Sequence, residues 1–154
     1  MIEKSISRVL KYGTIASTYL LVGSVLLQIF ARYLLPSTPA WTEESSRLFF
    51  VYAIAFASGL ALKDAYYVHM EVFFDRFPQW AKRVLNILTP IMLFLLLLCV
   101  AVYSVSFVVL GIGERSPSMK FSMSYVFFSM VVMAVSMGYF ALKDLLRSIR
   151  EANR

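Results

Sequence analysis

"VLNILTPIMLFLLLLCVAVYSVSFVVLGIG", residues 84–113, runs for 30 positions without a charged side chain. It does not alternate between polar and apolar residues, as the strand of a membrane barrel does. In lipid every backbone N–H and C=O must find its partner within the segment, so this run reads as a helix. At about 1.5 Å per residue such a helix reaches about 45 Å, against about 30 Å for the hydrocarbon core of a bilayer. It must therefore tilt, bend or protrude. Thr89-Pro90 offers a bend near one end, because proline cannot donate to the helix ladder.

Three further uncharged runs lie around it: 12–31 with 20 residues, 48–62 with 15 and 121–142 with 22. A spanning helix needs about 20. The short run covers only about 22 Å, so a 20-residue span ending at Leu62 must begin near Glu43. Composition agrees: 60% of the 154 residues are hydrophobic and 16% charged, against about 45–50% and about 25% in soluble domains. The expected fold class is an all-α membrane protein, with residues 1–154 forming one domain of four transmembrane helices. The spans are expected at about 12–35, 43–62, 84–110 and 121–142. Lys4, Arg8 and Lys11 precede the first run as they would in a signal peptide. That run is longer than a signal-peptide core and no small-x-small cleavage site closes it, so it reads as a retained span.

The net charge of +6 sorts by side of the membrane, and no nucleic-acid partner is expected. Lys4, Arg8 and Lys11 lie before the first span. Lys63, Arg76, Lys82 and Arg83 lie between the second and third, and Lys143, Arg147, Arg150 and Arg154 after the fourth. Only Arg32, Arg47, Arg115 and Lys120 fall on the other side. The positive-inside rule then places both termini in the cytoplasm.

The four runs contain no Asp, Glu, Lys, Arg or His. Ionisable groups within spans mark proton relays and ion pathways, so a stand-alone pump is disfavoured. The single histidine, His69, lies in a loop, where it cannot serve as an axial haem ligand within a span. It reads more readily as a surface polar contact than as a ligand or pH sensor. Cys99 is the only cysteine and cannot form the pair a thiol oxidoreductase needs. No metal cluster, nucleophile triad or phosphate loop is present. Neither an enzyme nor a bound cofactor is expected, and the polar features are read first as contacts.

The richest of these is "RYLLPSTPAWTEESSRLFF", residues 32–50. Pro36 and Pro39 break the first helix, and Thr42 is placed to cap the second. Glu43 and Glu44 then fall in its first turn, at the positive end of the helix dipole. Glu43 and Arg47, four apart, are placed to pair. Length puts these charges at the edge of the bilayer, where charges want partners. Two readings stand: a capped helix start whose charges snorkel, or an interface with a second protein involving Arg32, Trp41, Glu43, Glu44 and Arg47. Further along, Ala53 with Ala57 and Ala55 with Gly59 are small residues four apart, a spacing that lets helices approach closely. In the loop, Tyr66, Met70, Phe73, Phe77 and Trp80 form one helical stripe. An amphipathic helix in the headgroup plane is expected over about 65–80, including His69, with an interfacial aromatic loop as the plainer reading. In the fourth span, Ser122, Ser129 and Ser136 repeat at sevens, as do Met123, Met130 and Met137, a pattern of core packing.

"FARYLLP", "AWTEESSR" and "SGLALKDAYYVHMEVFFDRFP" follow one another in an order that resembles the small membrane subunit of tripartite ATP-independent periplasmic (TRAP) transporters. Arg32, Tyr33, Trp41, Glu44, Gly59, Lys63, His69 and Asp75 fall where that family's features stand. Lys63 takes a place where the family often has Arg. The resemblance covers roughly residues 10–150. It implies an obligate heterodimer with a large membrane subunit that holds the substrate and sodium sites. A periplasmic substrate-binding protein would dock transiently and deliver an organic acid such as sialic acid or a C4-dicarboxylate, with uptake driven by sodium. The small subunit would be a static scaffold in the bacterial inner membrane, in contact with lipid. On this reading Arg32, Trp41, Glu43, Glu44, Arg47, Ala55, Gly59 and Lys63 are candidate contacts to the partner. A free-standing homo-oligomeric four-helix transporter or channel is the alternative.

Overall fold

A computed structural model describes residues 2–34, 39–65 and 79–152. They form four helices: α1 (Ile2–Leu34), α2 (Ala40–Ala65), α3 (Gln79–Leu110) and α4 (Ser124–Ala152). All four are long and apolar enough to cross a membrane. No strand occurs among the described residues; one isolated antiparallel bridge joins Arg115 and Ser122. The helices of 33, 26, 32 and 29 residues outrun the apolar stretches. α1 starts near the N-terminus with its charged residues already helical, and α4 carries Lys143, Asp144 and Arg147 on past its apolar run. A helix entering water keeps its own backbone bonds, so the bilayer boundary does not end it. Pro90 lies inside α3 without ending it; membrane helices tolerate such breaks in the ladder.

The start of α2 differs from the expected cap. The helix begins at Ala40 directly after Pro39, so Thr42 is its third residue. The buried Thr42 hydroxyl donates to the Pro39 carbonyl at 2.8 Å instead of accepting from a first-turn amide. Proline already has φ near the helical value and no N–H to satisfy, which favours helix entry immediately after it.

The helices pack as two antiparallel hairpins, α1 with α2 and α3 with α4, joined along α2 and α4. α4 is the most enclosed: 28% of its most apolar window is buried, against 11% for those of α1 and α3. Most of the remaining surface faces outward, toward lipid or another chain. The interior is built from small and hydroxyl residues, among them Ala31, Ala55, Ala134 and Ala141 with Ser129 and Ser136. Lipid tails are as apolar as leucine, so close van der Waals approach rather than burial of bulk drives this packing. Gly59 shows how close: a Cβ there would lie 2.8 Å from the Ser136 side chain and 3.0 Å from Leu10. The Ser129 and Ser136 hydroxyls donate back to the Val126 and Met133 carbonyls of their own helix. The heptad serines thus act as small packing residues. The polar links between helices are few: Ser24 to Ser46 at 3.0 Å, the Tyr52 hydroxyl to the Tyr125 carbonyl at 2.7 Å, and the Ser124 hydroxyl to the Val108 carbonyl at 2.7 Å.

Candidate partner interface

Glu44 lies half-buried in the first turn of α2 and reaches across to the connection between α3 and α4. Its carboxylate accepts the Ser116 hydroxyl, the Ser118 amide at 2.9 Å and the Met119 amide at 2.9 Å. The sequence Ser116-Pro117-Ser118-Met119 explains the shape. Lys120 N–H donates to the Ser116 carbonyl at 3.1 Å, and Ser116 N–H to the Phe121 carbonyl at 2.9 Å. This closes a tight loop in which Lys120 takes φ 56°. Pro117 has no N–H, and the next two amides converge on one point. Successive backbone amides of this kind make a concavity for an anion, and the chain supplies its own in Glu44. The neighbouring Ser45 is buried and contacts the Met119 sulfur at 3.5 Å.

The same connection is fixed at its other end. Ser122 donates to the Gly111 carbonyl at 2.8 Å and accepts the Ser124 amide at 3.3 Å. A Cβ on Gly111 would lie 2.7 Å from the Ser124 amide nitrogen, so the end of α3 touches the start of α4 backbone to backbone.

Glu43 points the other way and pairs with Arg47 at 2.5 Å, as the spacing predicts, on the exposed side of α2. Trp41, Arg32 and Tyr33 are exposed around it, and Arg32 makes no ion pair among the described residues. The eight candidate contacts therefore divide. Arg32, Trp41, Glu43 and Arg47 form an exposed cluster at one end of the molecule. Glu44 is engaged by the chain's own loop. Ala55 is buried and Gly59 is closed off by Leu10 and Ser136. The close helix approach read from their spacing is met inside the chain, so these two residues offer no surface to a partner. Lys63 is half-buried at the opposite end, within electrostatic range of Glu3.

At that end the Lys143 ammonium of α4 pairs with the Glu3 carboxylate of α1. Glu3, Lys63 and Lys143 thus bring α1, α2 and α4 together. Neither this cluster nor the serine-lined loop around Glu44 was read from the sequence. The span count put residues 114–120 on the same side as Glu43 and Glu44, and Ser-Pro-Ser is a turn-forming run; those two signals together pointed to the loop. Tyr66, His69, Met70, Phe73, Asp75 and Phe77 lie outside the described residues, so the expected interfacial helix does too. Trp80 falls in the first turn of α3.

Residues 21–151 match the family described as tripartite ATP-independent periplasmic transporters, DctQ component. This chain belongs to that family. It is 23% identical over 152 residues to a Haemophilus influenzae protein assigned as a TRAP transporter small permease, covering 99% of this chain and 92% of the relative. It is 29% identical over 82 residues to the sialic acid TRAP transporter small permease protein SiaQ of Vibrio cholerae, covering 53% of this chain and 47% of the relative. The chain is thus a TRAP small permease subunit, a multi-pass protein of the bacterial inner membrane, in a class of transporter components rather than enzymes. The family implies association with a large membrane subunit and a periplasmic binding protein.

Proposed function

We propose that this subunit is a static scaffold that binds and stabilises the large permease subunit of a sodium-driven organic-acid importer. The observation that carries this reading is the content of the spans. No ionisable side chain lies inside any of the four uncharged runs, while most of the helix surface remains outward and apolar. A sodium or carboxylate pathway needs polar or charged groups at membrane depth. A scaffold needs apolar surface and a rigid frame, and the Glu44-clipped loop and the Gly59 contact supply rigidity.

Both termini then lie in the cytoplasm, by the distribution of Lys and Arg. The exposed cluster of Arg32, Trp41, Glu43 and Arg47 faces the periplasm. There it contacts the large subunit where exposed charge meets the membrane edge. The name of the Vibrio cholerae relative supports sialic acid as a substrate of the assembly, with a C4-dicarboxylate as the other candidate. In either case the substrate site belongs to the large subunit.

The test is a pull-down of the tagged chain from native membranes extracted in mild detergent. A stoichiometric many-span partner is expected, and the Trp41→Ala/Arg47→Ala variant should recover less of it. Sodium-dependent uptake in liposomes should require both subunits and the binding protein. A homo-oligomer that transports unaided would overturn the scaffold reading.

A further inference from the structure

A groove of about 370 Å³ opens between α1, α2 and the start of α4. Ser17 and Leu20 form one wall, Leu48, Phe49 and Tyr52 the second, and Phe121 and Tyr125 the third. We propose that it holds one acyl chain of a phospholipid whose anionic headgroup sits at Lys120.

Four observations carry this. The first is depth. The Ser24–Ser46 hydrogen bond marks a level where α1 and α2 meet. Ser17 lies seven residues from Ser24 and Tyr52 six from Ser46, so the groove runs about 9–10 Å beyond that level. Half of a hydrocarbon core is about 15 Å. The groove is therefore confined to one leaflet, on the side of the α1–α2 and α3–α4 connections.

The second is polarity. The Tyr52 hydroxyl is already committed to the Tyr125 carbonyl, and the Ser17 residue is largely buried. What remains is aliphatic and aromatic surface, which offers nothing to a polar solute. The third is size. One turn of helix, about 5.4 Å high and about 10 Å across, occupies roughly 420 Å³. The groove is smaller than that single turn and suits a flexible chain better than a partner helix.

The fourth is charge. Lys120 directly precedes Phe121 at the groove, is exposed, and makes no ion pair among the described residues. Its left-handed backbone belongs to the loop held by Glu44, so the position of the cation is fixed with respect to the groove. The nearby Arg47 is committed to Glu43. A single uncommitted cation beside an apolar slot, at the level where a leaflet's headgroups lie, matches the two ends of an anionic phospholipid.

The full chain would be reconstituted in phosphatidylethanolamine and phosphatidylglycerol vesicles, with trace phosphatidylglycerol carrying a diazirine in its acyl chain. After irradiation the labelled peptides are mapped by mass spectrometry. Label is expected to concentrate at Leu20 and Leu48–Phe49, several-fold above exposed Leu95 and Leu96 on α3. Leu20→Trp and, separately, Leu48→Phe should remove that excess while circular dichroism stays unchanged. Lys120→Gln should lower the preference for phosphatidylglycerol over phosphatidylethanolamine probes by about fivefold, the ratio expected of one cation near a headgroup. Label spread evenly over all exposed helices, or unaffected by groove filling, would overturn the proposal. So would loss of the labelling in the complex with the large subunit, because the occupant would then be protein.

Discussion

The Glu44 carboxylate accepts the Ser118 amide at 2.9 Å although 74 positions separate them in sequence. It also takes the Ser116 hydroxyl and the Met119 amide, so one side chain of α2 orders the link between α3 and α4. Glu44→Gln keeps the shape but replaces one acceptor oxygen with a donor that faces the same amides; Glu44→Ala removes both. Hydrogen exchange at the Ser118 and Met119 amides should accelerate in the order wild type, Gln, Ala, by several-fold at each step. Unchanged exchange in Glu44→Ala would show that the loop holds itself.

Gly59 faces Ser136, and a Cβ would come within 2.8 Å of that side chain. Overpacking of this kind typically costs about 1–3 kcal/mol. Gly59→Ala should therefore lower thermal stability in detergent, and Gly59→Val should lower it more. Ser136→Gly in the Gly59→Ala background should recover much of the loss, because residues in contact do not act independently. Additive losses in the double variant would place the strain elsewhere.

The Tyr52 hydroxyl reaches the Tyr125 carbonyl at 2.7 Å between two membrane-spanning helices. Such bonds average about 0.6 kcal/mol in measured membrane proteins, with a maximum of about 1.7. The Tyr125 carbonyl keeps its helical position whether or not the hydroxyl is there. Tyr52→Phe should thus destabilise by less than about 1 kcal/mol in a reversible unfolding assay, well below Gly59→Val. A larger loss would mean that this bond, and not close packing, joins the two hairpins.

Much of this architecture is legible in the sequence because a bilayer imposes a single requirement. The run 84–113 has to be helical, and so do its three companions; all four helices are present. The Glu43–Arg47 pair follows from spacing along one helix. What was hidden depends on contacts between distant segments. Ala55 and Gly59 announce that a helix comes close, but nothing in their spacing says whether that helix belongs to the same chain. Glu44 is adjacent to Glu43 and looks equivalent to it, yet about 100° of helical rotation turns it toward the loop instead of toward solvent. The donors it meets are backbone amides, which every residue but proline has and which no composition records. Thr42 was read as a cap because its hydroxyl can accept; Pro39, with no amide to satisfy, let the helix start earlier and left a carbonyl for that hydroxyl.

The Lys143–Glu3 pair joins the first turn of α1 to the charged end of α4. Both side chains are substantially exposed, 52% and 38%, so salt should screen their attraction. Glu3→Lys brings a third cation to Lys63 and Lys143 and should lower thermal stability at low ionic strength. The loss should shrink in high salt. The exchanged double variant Glu3→Lys/Lys143→Glu should regain part of it, but not all, because Lys63 then faces a lysine where it faced a carboxylate. Full recovery would show that Lys63 takes no part in the cluster, and no recovery would show that the pair does not form.

Orientation can be settled with Cys99 and the Glu44-held loop. Cys99 is the only cysteine and lies within α3, so Cys99→Ser gives a thiol-free background at little packing cost. Ser118 is exposed and contributes only its backbone amide to Glu44, so Ser118→Cys leaves the loop intact. In cells with the outer membrane permeabilised, a membrane-impermeant maleimide should label Ser118→Cys rapidly and a cysteine placed at Ser148 only after the inner membrane is opened. Ser148 sits beyond the apolar run of α4, in its charged last turns. The reverse pattern would put the basic ends of α1 and α4 outside. The exposed Arg32, Trp41, Glu43 and Arg47 would then face the cytoplasm, where a periplasmic binding protein could not reach them.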